Sequence, residues 1–182
     1  ERDLFNAAGT FFELPARNAG GFSRVRPVST HNLMVHDFCS YRGLFIVSGI
    51  SNDASAETGR IIKSDDGRTA LWVGAIDDIW KLGKPRGEGG PWKDTDVKAG
   101  QASDPYLMTA YDRKSLTLSS DKDATIIIEV DISGDGSWTV QDKVDVKSGT
   151  TYQREFPREF SAYWIRFTAD KDVKATAQLD YR

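Results

Sequence analysis

The sequence predicts an all-β chain, and three observations lead there. Short apolar or alternating runs recur along the whole of its 182 residues. Clusters of Gly, Asp, Asn and Ser separate those runs. No stretch keeps a helical apolar period for about a dozen residues. Period-two alternation, the mark of a half-buried strand, is clear in Trp164-Ile165-Arg166-Phe167-Thr168 and in Ala175-Thr176-Ala177-Gln178-Leu179.

Taken in order, the expected strands are Gly9–Leu14, Leu33–Phe38, Leu44–Ser48, Arg60–Ser64, Thr69–Ala75 and Leu107–Ala110. Ser115–Ser119, Ala124–Ile132, Trp138–Val146, Thr150–Phe156, Tyr163–Ala169 and Val173–Tyr181 follow. Ser64-Asp65-Asp66-Gly67 and Ser133-Gly134-Asp135-Gly136 read as hairpin turns, because Gly and Asp tolerate the backbone of tight turns.

Composition shifts between Lys81 and Gly100, a stretch rich in Gly, Pro and Lys. The expected domain boundary follows it, giving a blade-like region over 1–97 and an antiparallel β-sandwich over 98–182. The few strands of the first region suit one propeller blade and part of another, which alone would leave open edges. The evenly spaced strands of the second suit a sandwich, with Trp138 and Trp164 as core anchors. A solvent-facing Trp138 would instead suggest a sugar platform.

The formal net charge is −3, which argues against a nucleic-acid partner. No apolar run approaches the ~20 residues that span a bilayer, so no membrane partner is expected. The single cysteine, Cys39, excludes an internal disulfide or a multi-cysteine zinc site, and a buried structural thiol is expected there. The start at Glu1, with neither Met nor a signal peptide, suggests a mature product or a piece of something larger.

The segment richest in chemistry runs from Trp72 to Trp92. A strand ends in Asp77 and Asp78; Trp80 follows, then Lys81, Lys84 and Arg86 on a loop shaped by Gly and Pro. Carboxylates accept hydrogen bonds from sugar hydroxyls and a tryptophan face stacks on a sugar ring. Lys and Arg bind uronate carboxylates, Arg with two parallel bonds. A purely structural reading is an ordered linker, with Trp80 and Trp92 packed inside.

A second cluster, Thr30 to Gly43, holds both histidines. Alternation sets His36 with Phe38, and Asp37 with Cys39 and Tyr41, so His36 and Asp37 diverge. His36, Tyr41 and Arg42 suit the base, acid and carboxylate-neutralising roles of a uronate β-elimination, or contacts to sugar. The structural alternative leaves His36 as a packing residue, with Arg42 paired to Asp37 or Asp78. Asp131-Ile132-Ser133-Gly134-Asp135-Gly136 has a faint likeness to a calcium loop but lacks its closing Glu, so a hairpin turn is expected. No phosphate loop, nucleophile elbow, HExxH or dinucleotide fingerprint occurs, and no cofactor or metal is implied.

The stretches His36-Asp37-Phe38-Cys39-Ser40-Tyr41-Arg42-Gly43-Leu44, Asp77 to Gly87 and Ser103-Asp104-Pro105-Tyr106-Leu107-Met108 resemble the C-terminal part of exported bacterial β-propeller proteins of polysaccharide degradation. Ser161-Ala162-Tyr163-Trp164-Ile165-Arg166-Phe167 is similar to their terminal β-sandwich. Propeller-type rhamnose–glucuronate lyases and related exo-acting glycosidases are the members compared, and their catalytic residues are not matched onto this chain. The resemblance implies a periplasmic or extracellular role on a carbohydrate, such as a uronate-containing polysaccharide. It also implies completion by a preceding segment of the parent protein or a companion chain. On that reading His36 and Asp78 are the catalytic candidates, and Arg42, Asp77, Trp80, Lys84 and Arg86 bind substrate. The alternatives are a non-catalytic carbohydrate-binding or structural sandwich module, and an adhesion module that pairs through strand edges.

Overall fold

The computed structural model describes residues 2–51 and 59–182. The chain is all-β, with short 3-10 turns at Arg17–Ala19, Gly21–Arg24 and Ile76–Lys81. Its strands are β1 (Arg2–Ala7), β2 (Thr10–Pro15), β3 (Arg26–Thr30), β4 (Asp37–Tyr41), β5 (Leu44–Ser48), β6 (Ile61–Lys63) and β7 (Ala70–Gly74). They continue with β8 (Gly87–Val97), β9 (Tyr106–Leu107), β10 (Lys114–Ser120), β11 (Ala124–Asp131) and β12 (Trp138–Val146). The last are β13 (Thr151–Glu155), β14 (Trp164–Ala169) and β15 (Val173–Tyr181). The first three form a sheet in the order β1-β2-β3. No helix among the described residues is long and apolar enough to cross a membrane.

Two compact units result. The first holds Leu4–Glu13 and Pro27–Lys84, the second Glu1–Asp3, Leu14–Arg26 and Pro85–Arg182. In the first, an antiparallel sheet runs in the order β4-β5-β7-β6. The β4–β5 hairpin turns on Arg42 (φ 49°) and Gly43 (φ 83°), both in the left-handed region that a two-residue hairpin needs. The β6–β7 hairpin closes at Ser64, whose N–H donates to the Thr69 carbonyl at 3.0 Å. The core is aromatic: Phe45 meets Phe11, Phe38 and Trp72 at ring separations of 6.0, 5.4 and 6.4 Å. Val28, Val47, Ile50 and Ile79 complete it. Burial of each such side chain contributes about 1.5–3 kcal/mol before the entropy of ordering is counted.

The second unit has two four-stranded antiparallel sheets, β13-β10-β15-β8 and β12-β11-β14-β9. Leu116 and Leu118 of β10, with Ala175, Ala177 and Leu179 of β15, share one core with residues of the other sheet. Those are Ile126, Ile128 and Val130 of β11, with Ile165 and Phe167 of β14. Alternation puts every second residue of these strands inside, as the sequence pattern predicts.

Several expectations are corrected. Residues 87–97, expected in a Gly/Pro loop, form β8, which pairs with β15. The chain passes between the two units at Asp3/Leu4, Glu13/Leu14, Arg26/Pro27 and Lys84/Pro85. Proline is tolerated because β8 ends its sheet. Glycine is required at Gly90, where a Cβ would lie 2.0 Å from the Ala177 carbonyl oxygen. Strands β1 and β3 have no counterpart in the expected set, and the strand expected over 33–38 begins at Asp37. Trp138 and Trp164 are half-buried and not core anchors, since Trp164 has the parity of Arg166 and Thr168, opposite to Ile165 and Phe167. Cys39 is exposed rather than buried, on the same side of β4 as Asp37 and Tyr41.

Candidate functional site

The Trp72–Trp80 segment builds the most organised polar feature of the first unit. After β7 the chain enters the 3-10 turn Ile76–Lys81, anchored by Ile79, which is fully buried. Asp78 holds the turn. Its Oδ2 accepts the Ala75 N–H at 2.8 Å, and the Asp78 N–H donates to the Ala75 carbonyl at 3.0 Å. Arg60 Nη1 lies 2.7 Å from the same Oδ2, and Lys81 Nζ donates to Oδ1 at 3.0 Å. The Lys81 bond, then the Ala75 N–H, hold the carboxyl below its ordinary value of 3.8. Gly74 completes the arrangement: a Cβ there would meet the Trp72 ring at 2.6 Å, and Arg60 and Asp78 at 3.1 Å.

In a 3-10 helix, side chains three apart eclipse one another. Asp78 and Lys81 show this by their ion pair. The same geometry aligns Asp77 with Trp80, and both are exposed, Trp80 to 45%. An aromatic face and a carboxylate acceptor thus share one edge of the turn. Lys84 is exposed and, like Arg86, is engaged in a contact of its own. Asp77, Asp78, Trp80 and Lys84 belong to the first unit, and Arg86 to the second.

The second cluster is laid out differently. His36 is exposed, its N–H donating to the Ser48 carbonyl at 3.0 Å and its ring packed on Gly49. No hydrogen bond or ion pair joins it to Asp78, so the two catalytic candidates are not coupled. Arg42 sits at the hairpin tip with its guanidinium 5.3 Å from the centre of the Tyr41 ring; Asp78 pairs with Arg60 and Lys81 instead. His31 is the more embedded histidine: Nδ1 accepts the Leu33 N–H at 3.2 Å, the Asn6 carboxamide meets Nε2 at 2.6 Å, and Phe11 lies 4.9 Å away. Burial pushes its pKa below 6.5.

In the second unit the outer face of β11, β12 and β14 carries a cluster not expected from the sequence. Arg166 donates to both oxygens of Glu129, at 2.9 and 3.1 Å, and lies over the Trp138 ring. That face of Trp138 is therefore covered by a cation and is not an open sugar platform. The Trp164 indole N–H donates to the Ser23 carbonyl at 2.7 Å, and its ring lies 6.1 Å from Phe22. The strand parities of Glu129 and Arg166 carried this signal. Asp131 accepts N–H bonds from Gly134 and Gly136, each at 2.8 Å, so the Asp131–Gly136 loop is built as a turn around its first carboxylate. Among the described residues no group of three or more His, Cys, Asp or Glu is placed to hold a metal ion.

No family model matches the chain, and no curated protein matches it. Solved structures give low similarity. A crystal structure of PirA is 12% identical, with 55% of this chain and 83% of that chain covered and a TM-score of 0.27. The Drosophila melanogaster CENP-C structure bound to CAL1 is 12% identical over 85% of each chain, with a TM-score of 0.27. A glycoside hydrolase family 43 arabinoxylan arabinofuranohydrolase from Bacillus subtilis, in complex with cellotetraose, is 12% identical. There the match covers 100% of this chain and 53% of that one, with a TM-score of 0.30. At these scores none of the three assigns a function.

Proposed function

We propose that this chain is a saccharide-binding portion of an exported polysaccharide-processing protein, and that it holds sugar without performing a chemical step by itself. The observation that carries the reading is the shared edge of Asp77 and Trp80 on the 3-10 turn. A ring face for stacking and a carboxylate for hydroxyl groups stand side by side, on a turn locked from behind by Asp78. The candidate acid or base Asp78 has both oxygens occupied by Ala75, Arg60 and Lys81. Among the described residues His36 has no side-chain partner that would orient it as a base, which weighs against a self-contained lyase or glycosidase.

The finer fold belongs to the same reading. The paired sheets of the second unit are read as an antiparallel β-sandwich. The β4-β5-β7-β6 sheet departs from the consecutive strand order of an up-and-down propeller blade, because β7 lies between β5 and β6. That favours a binding module over the remnant of a propeller active site. A sugar acid as ligand, a further segment of the parent protein or a companion chain as partner, and a periplasmic or extracellular location complete the proposal.

A glycan-binding screen of the chain tests it, with Trp80→Ala and Asp77→Asn run in parallel. The expected result is binding that falls about tenfold in Trp80→Ala, a loss of about 1.4 kcal/mol. A folded wild-type chain that binds no saccharide would overturn the reading.

A further inference from the structure

One open cleft in the second unit has no part in the arrangement above. It measures about 480 Å³ and lies where β10, β13 and β15 end, within the ~300–1,000 Å³ range of small-molecule sites. Its backbone frame is closed by reciprocal bonds between Arg113 and Arg182, at 2.7 and 3.0 Å, and by the Phe156 N–H donating to the Lys114 carbonyl at 2.9 Å. Among the described residues, four cationic side chains line it, Arg113, Lys114, Arg158 and Arg182, with two acidic ones, Glu155 and Asp180. The cleft is thus locally cationic in a chain whose net charge is −3.

The cations differ in how they are used. Arg182 is committed to Asp180, with Nε and Nη2 at 2.9 and 3.2 Å from the two carboxylate oxygens. Lys114 is buried to 6% exposure, and its ammonium donates to two carbonyls, Tyr111 at 2.7 Å and Phe160 at 3.2 Å, with the Asp112 carboxylate as a nearby charge. Arg113 and Arg158 are exposed and form no ion pair among the described residues. Two guanidinium groups lining the cleft therefore carry no ion pair among the described residues.

The neighbouring surface extends the cleft in a definite direction. A shallower depression of about 240 Å³ shares Ser115 and Glu155 with it and continues over Thr117 and Gln153. Ser115 pairs with Glu155 on one side and Asp180 on the other, and Thr117 with Gln153 and Gln178. This outer face offers hydroxyls, carboxamides and carboxylates in rows, with no large apolar side chain pointing outward. Such a surface hydrogen-bonds a polyhydroxylated chain, and the basic end selects for an anion on it.

We propose that this cleft binds the oxyanion of an acidic saccharide, a carboxylate or a sulfate ester, with Arg113 and Arg158 holding the anion and the Thr117–Gln153 groove holding the next sugar. The proposal rests on the saccharide-binding reading above but places the acid-selective site in the other unit. Guanidinium forks match both oxyanions, and the attraction weakens as salt rises.

The test is calorimetric titration of the full chain with a galacturonate trisaccharide, a sulfated galactose trisaccharide and the neutral galactose trisaccharide. Wild type, Arg113→Gln/Arg158→Gln and Trp80→Ala are compared, with thermal melts confirming folding. The expected result is that wild type binds at least one acidic trisaccharide tenfold or more tighter than the neutral one. The double variant then loses that preference, and Trp80→Ala keeps it. The two acidic arms identify which oxyanion is read. A preference that survives in the double variant, or that disappears with Trp80→Ala alone, overturns this site while leaving saccharide binding intact. If no trisaccharide binds, or inorganic sulfate binds as tightly as the acidic trisaccharides, the acidic-saccharide site is overturned. Neutral-sugar binding that is lost in Trp80→Ala reports separately on the first unit.

Discussion

Arg166 lies with its guanidinium carbon 4.2 Å from the centre of the Trp138 ring. Glu129 grips the same group from the side with two hydrogen bonds. Planarity, the two-pronged bond and the stacking all depend on guanidinium, so lysine is not an equivalent. Arg166→Lys is expected to cost about 1–2 kcal/mol in urea unfolding and to alter tryptophan fluorescence. Unchanged stability and emission would show that the stack contributes nothing.

Asp78 should matter to stability more than to any reaction. Its carboxyl is held below 3.8, by Lys81 first and the Ala75 N–H next. A depressed folded pKa means that the contribution is present above the unfolded value and is lost as pH falls through the folded one. Asp78→Asn is expected to lower the melting temperature at neutral pH by roughly 2–8 °C. The gap between variant and wild type should narrow as the medium becomes acidic enough to protonate Asp78. A gap that stays constant with pH would rule out the charged contacts as its source.

His31 gives a second pH signature at a higher range. Burial lowers its folded pKa below 6.5, so below that value the unfolded chain binds a proton that the folded chain resists. Stability is therefore full above about pH 6.5 and declines as pH falls toward the folded value. His31→Gln is expected to flatten this part of the curve, measured by denaturant midpoints at a series of pH values. An identical slope in the variant would assign the decline to another group.

Cys39 is exposed on β4. The native chain should therefore react with one equivalent of a maleimide reagent without denaturant. Its reaction rate should be within about tenfold of a small free thiol's. Protection that disappears only on unfolding would contradict the placement of this side chain.

Much of this was legible from periodicity. The inward and outward sides of β10, β11, β14 and β15 follow the alternation of the sequence, because both sheets bury one face against a shared core. The same rule, applied strictly, also places Trp164 with Arg166 and Cys39 with Asp37. At both positions strand parity outweighs the apolar character of the residue type. Strand β8 was hidden for a different reason. Its Gly89, Gly90 and Pro91 break local strand propensity, and its pairing depends on β15, some eighty residues away in sequence, with register shifts around Ala177. At the candidate site, the exposed Asp77 and Trp80 lie in the segment singled out by composition. The ties from Arg60 to Asp78, and the cleft formed by Arg113 and Arg158, are long-range juxtapositions that no local pattern announces.

Besides the N-terminal residues up to Asp3, the second unit draws on two longer stretches of chain, Leu14–Arg26 and Pro85–Arg182, and the indole of Trp164 reaches back to the carbonyl of Ser23. A genetic crossover anywhere between codons 27 and 84 would give those two partners different ancestries. This region is therefore poorly suited to spreading between genes as a cassette. Its two stretches are expected to be inherited together and to diversify as a pair.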